Sequence, residues 1–144
     1  MKIIICGSMS AFNEMVEIEI ILKNNGHDVI LPKFTHEYAS LKKEYKSSES
    51  CKEKTENDLI RKYFYEIKSA DAILVVNINK NNINGYIGGN SFLEMGFAYI
   101  LNKKIYLLND IPEISYKDEI ETMSPVVLNG DFSLIINETK KKEY

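Results

Sequence analysis

One carboxylate in this sequence stands where its neighbours suit it least. Glu94 lies inside FLEMGFAYIL, an otherwise apolar run whose spacing reads as a helix packed on a core. The stretch before it, GYIGGNS, carries Gly85, Gly88 and Gly89, which let a backbone approach a ligand closely. With Asn90 or Ser91 as the helix cap, Glu94 is predicted in the first turn. Two roles fit it there. One is a capping-box or dipole partner of the helix N-terminus. The other is a reactive carboxylate at the mouth of a ligand cleft, made a better acid or nucleophile by partly dry surroundings.

A second loop with chemical potential is CGSMSAFN, where Gly7, Ser8 and Ser10 join an apolar run to a helical one. Such a turn offers hydroxyls, backbone N–H groups and the positive end of a helix dipole, a setting for an anion or a sugar hydroxyl. Ser10 or Asn13 can equally serve as a plain helix cap. The loop is neither GxxxxGK[ST] nor GxGxxG. Asp71, in SADAILVVN, opens a strand, and its position favours a cap or turn role. Tyr63, Phe64 and Tyr65 read as core or interface, and His27 and His36 share no metal-ligand spacing. No metal and no cofactor are expected.

These residues need elements to position them. Lys2 to Cys6 reads as a buried strand, and Met15, Ile18, Ile21 and Leu22 mark a helix ended by Asn25-Gly26. His27 to Leu31 reads as a second strand stopped by Pro32. Leu59, Ile60, Tyr63, Phe64 and Ile67 form a helical stripe ending near Ser69, and residues 72 to 77 the strongest strand. After the Glu94 helix come a strand at Lys104 to Leu108, a short helix near Lys117 to Met123, and a fifth strand at Pro125 to Leu128. The alternation predicts a single α/β domain over residues 1–144: a three-layer, Rossmann-like parallel sheet of about five strands with helices on both faces. Ligands of such sheets bind beyond the strands' carboxyl ends. That rule selects Gly7 to Phe12, Asn77 to Ser91 and Asn109 to Tyr116, and it makes Asn77, Gly88, Gly89, Asn90 and Ser91 candidate ligand contacts. It sets Asp71 at the wrong end.

The bulk figures narrow the function classes. The chain has 144 residues and a formal charge of -3, which argues against a nucleic-acid binder. Cys6 and Cys51 form neither a disulfide framework nor a metal pair. The N-terminal apolar run is too short for a signal or a membrane span. A cytoplasmic protein that does not act on membranes is expected. Residues 36–57, charged and Ser-rich, read as an excursion or the start of a long helix, and residues 138–144 as a frayed tail.

Taken in order, ICGSMS, SADAILVVN and GGNSFLEMGFAYILNKKIYLL resemble the nucleoside 2-deoxyribosyltransferase superfamily, which includes 2′-deoxynucleoside 5′-monophosphate N-glycosidases. The resemblance spans nearly the whole chain and implies a flavodoxin-like fold. It implies that Glu94 attacks the anomeric carbon of a deoxyribose as the base leaves, and that Asp71 helps position the base. Gly7 and Ser8 would line the sugar pocket, with hydroxyls of this loop and of the stretch before Glu94 holding a 5′-phosphate. It also implies a homodimer or larger homo-oligomer with a shared active site, for which Met123 and Ser124 are the candidate contribution from a partner subunit. The sequence departs from the pattern just before the glutamate. Asn90 and Ser91 replace a Gly-Thr pair, and Gly88 stands where a phosphate-contacting Ser would be. The expected activity is hydrolysis or base exchange on a 2′-deoxynucleoside or its 5′-monophosphate. The rival readings are a non-catalytic nucleotide-sensing module and a ribonucleotide phosphoribohydrolase.

Overall fold

The computed structural model of the chain describes residues 1–33, 35–41 and 58–136. Five parallel strands form one sheet: β1 (Lys2–Cys6), β2 (Asp28–Ile30), β3 (Ala72–Val75), β4 (Lys104–Leu107) and β5 (Val126–Val127), in the order β2-β1-β3-β4-β5. This is the flavodoxin-like winding. β1 and β3 are buried along almost their whole length because helices cover both faces, which is why their sequences are continuous β-branched runs rather than alternating ones.

The two faces are built differently. On one, α1 (Phe12–Asn24) sets Met15, Ile18 and Leu22 against Ile3, Ile5 and Leu74. Leu128 and Ile135 join the same cluster. On the other, α3 (Leu59–Ser69), α4 (Gly89–Ile100) and α5 (Lys117–Thr122) pack Ile67, Met95, Ala98 and Ile120 against Ile4, Cys6, Ile73 and Leu107. A short α2 (Thr35–Leu41) lies beside α1. It occupies the start of the charged excursion. Residues 42–57, with Cys51, and the tail 138–144 lie outside the described residues. Among the described residues no helix is long and apolar enough to cross a membrane.

Register aligns the strand ends. Cys6 pairs with Val75, Val75 with Leu107 and Leu107 with Val127, so four strands finish on one row. β1 is followed by a helix on one face and β3 by a helix on the other, and the connections therefore diverge between these two adjacent strands. That divergence opens the crevice in which ligands of such sheets bind.

Several boundaries shift by one residue at an end, and three shifts bear on the site or the sheet edge. β3 stops at Val75 instead of residue 77, because Asn77 turns its amide to neighbouring loops. β5 shrinks to two residues. α4 begins at Gly89 with Gly88 as its cap, and neither Asn90 nor Ser91 caps it.

Candidate active site

The early start of α4 changes the reading of Glu94. Counting from Gly88 as cap, Glu94 is the sixth helical residue, and the first turn holds no acidic residue. A capping-box glutamate would be the third. The capping role is therefore excluded by geometry, and Glu94 is held by other means. It is 6 % exposed, so it is a carboxylate carried inside the protein. The Asn90 amide, one turn earlier, donates to Glu94 Oε1 at 2.5 Å. Glu94 Oε2 has no contact with solvent.

Cys6, the last residue of β1, faces Glu94 from the sheet. Burial, then the charge of Glu94 and a hydrogen bond to it, push the Cys6 thiol well above its usual range. The thiol thus stays protonated and donates to the carboxylate. Tyr63 of α3 joins this group. Its hydroxyl donates to the Ile5 carbonyl. Burial, then Cys6, Glu94 and Glu66, raise its pKa well above the phenol range. The result is a carboxylate at the carboxyl end of β1, walled by a thiol and a phenol that do not ionise at neutral pH.

The strand-to-helix loop beyond Cys6 begins with Gly7 at φ 152°, where a Cβ would lie 2.8 Å from Met15 Cε and 3.0 Å from the Val76 carbonyl. Only glycine fits between α1 and β3 there. Ser8 then caps a 3-10 turn (Met9–Ala11), its Oγ accepting from the Ser10 N–H at 3.3 Å. The Ser8 and Ser10 hydroxyls are 2.8 Å apart. From the loop after β3, Lys80 extends its ammonium to Ser8 Oγ at 3.1 Å. Two hydroxyls and a cation thereby meet on the crevice between β1 and β3, a combination that favours an anion.

Sequence reasoning missed Lys80, although it is the only cation in the segment 77–91. It also missed Tyr63 and the Cys6 contact. Both residues lie on apolar stripes that read as core, and nothing in a one-dimensional pattern shows where a hydroxyl or thiol points.

The remaining candidates divide. Gly89 borders open space, where an added Cβ would meet nothing, while at Gly88 it would rest 3.5 Å from the Tyr86 ring. Ser91 is buried beside Glu94's helix start. Asn77 is committed to structure. Its Nδ2 donates to the carbonyls of Gly85, Asn109 and Asp110 at 3.2, 3.0 and 3.2 Å, and its Oδ1 accepts from the Asn109 N–H at 2.9 Å. Met123 and Ser124 lie between α5 and β5, and Met123 packs against the cluster that holds Cys6 and Met95.

Asp71 does not share the site. Its Oδ2 accepts from the Lys2 N–H at 2.7 Å and its own N–H donates to the Lys2 carbonyl at 2.9 Å. Lys2 begins β1 and Cys6 ends it, four steps of about 3.3 Å away. Asp71 clasps the amino end of the sheet, roughly 13 Å from the row on which β1 ends, the end at which the sheet rule sets it.

No family model matches the sequence, and no curated protein does. Among solved structures, that described as the Clostridium botulinum CMP N-glycosidase BcmB aligns over 88 % of this chain and 85 % of its own, at 18 % identity and a TM-score of 0.47. At that distance it assigns no role to any residue of this chain.

Proposed function

We propose that this chain cleaves or exchanges the N-glycosidic bond of a 2′-deoxynucleoside or its 5′-monophosphate, with Glu94 as the carboxylate that meets the anomeric carbon. The observation that carries the reading is a buried carboxylate, oriented by Asn90 and Cys6, at the sheet's crevice. Such a group can form a bond to C1′ as the C–N bond breaks. The departing base keeps the bonding electron pair and takes up a proton. Water or a second base then displaces Glu94 from the sugar, as in retaining glycosidases. Lys80, Ser8 and Ser10 supply the charge and hydroxyls for a 5′-phosphate, a function that Gly88 cannot supply. In this reading a partner copy completes the pocket with Met123 and Ser124.

The burial of Glu94 Oε2 and the hold of Asn90 on Oε1 favour a second reading, a module that binds nucleotides without turnover. Incubation of the purified protein with the four deoxynucleosides and their monophosphates, followed by chromatography for free base, separates the two. Release of base, or exchange with an added base, is expected. Tight binding with neither would replace the enzyme by the binding module.

A further inference from the structure

A solvent-open groove of about 520 Å³ lies apart from the Glu94 group, between the loops that follow β3, β4 and β5. Its volume falls within the range of about 300–1,000 Å³ typical of small-molecule sites. None of Cys6, Ser8, Lys80 or Glu94 lines it. Its walls are fixed from behind. The Asn77 amide joins the loop at Gly85 to the loop at Asn109 and Asp110. Gly85, at φ 66°, lets them close, since a Cβ would come within 2.7 Å of the Asp110 carbonyl.

The lining has a consistent chemistry. Among the described residues it contains five asparagines and two carboxylates, Asp110 and Glu113, and no lysine, arginine or histidine. The Asn79, Asn109 and Asn129 side chains also bond to Gly85, Asn77 and Asp110, and Asn82 and Asn84 are the exposed amides beside them. Asn129 holds the Asp110 carboxylate through a 3.0 Å hydrogen bond. Ile83, Ile111 and Pro112 supply flat aliphatic surface. A phosphate would meet like charge here. A side-chain amide, by contrast, reads a ring nitrogen and an adjacent exocyclic amine together, and a carboxylate accepts from such an amine. We infer that this groove is a second small-molecule site and takes an amino-bearing heterocycle of the adenine or cytosine kind, uncharged and without phosphate. The inference is independent of turnover at Glu94.

Calorimetric titration of the full chain with adenine and cytosine, and with hypoxanthine and uracil as counterparts lacking the amine, tests it. At least one amino-bearing base should bind about tenfold more tightly than its counterpart. Asn84→Ala and Asp110→Asn should each weaken it by about tenfold, with thermal melts showing that both variants fold. Glu94→Gln and Lys80→Ala should leave it unchanged. No saturable binding at about 1 mM base, equal binding of the counterparts, or loss of binding in Glu94→Gln with retention in Asn84→Ala would each overturn the inference.

Discussion

At the scale of single residues, the contrast between Glu94 and Asp71 shows what decides a chemical role. Both are carboxylates beside buried strands. Glu94 sits at the carboxyl end of the sheet with a thiol and an amide aimed at it, and Asp71 at the amino end with a backbone N–H. Lys80 belongs to the first group. If its ammonium meets a 5′-phosphate, Lys80→Ala should raise KM for a deoxynucleoside monophosphate by about tenfold or more, the loss of one charge-assisted bond. The kcat for the monophosphate and the constants for the uncharged nucleoside should move little. Steady-state kinetics on the matched pair of substrates checks this, and equal effects on both would remove Lys80 from phosphate recognition.

At the scale of elements, the loops after β3 and β4 form one body because Asn77 satisfies four backbone groups of those loops. Asn77→Ala strands these groups in a partly closed setting. It should cost about 2–4 kcal/mol, a fall in Tm of roughly 5–15 °C, measurable by thermal denaturation; an unchanged Tm would show that the loops are held elsewhere. The helices and strands themselves were readable from the sequence, since buried β-branched runs and the Met15, Ile18, Leu22 spacing have one stable reading each. Their ends were not. The start of α4 turned on whether Gly88, Asn90 or Ser91 caps it, and local sequence allows all three. That one boundary moved Glu94 out of the first turn. Asn77 reads as strand or ligand contact until the loops it joins are placed, because its partners at Asn109 and Asp110 are remote in the chain.

At the scale of the whole molecule, a parallel sheet has a ligand-binding end and a structural end. The order β2-β1-β3-β4-β5 puts Ser8, Lys80, Glu94 and the groove at the former. It puts Asp71 at the latter. The sheet rule separates the two ends from the sequence alone, and at Asp71 it and the motif resemblance disagree. Asp71→Asn should therefore lower stability by about 1–2 kcal/mol, the scale of a charge-assisted hydrogen bond, and leave kcat within a few-fold. A loss of activity in protein with an unchanged Tm would restore Asp71 to the chemistry.

In the proposed reaction the carboxylate of Glu94 meets the anomeric carbon. Glu94→Gln preserves the side chain's size and its contact with Asn90 while removing its charge, so the variant tests the chemistry with little change in packing. Base release from the preferred deoxynucleotide, measured for wild type and Glu94→Gln at matched folded concentration, is the direct measurement. The expected result is a fall of at least about a thousandfold, equivalent to about 4 kcal/mol of transition-state stabilisation. Turnover within a few-fold of wild type would contradict the account.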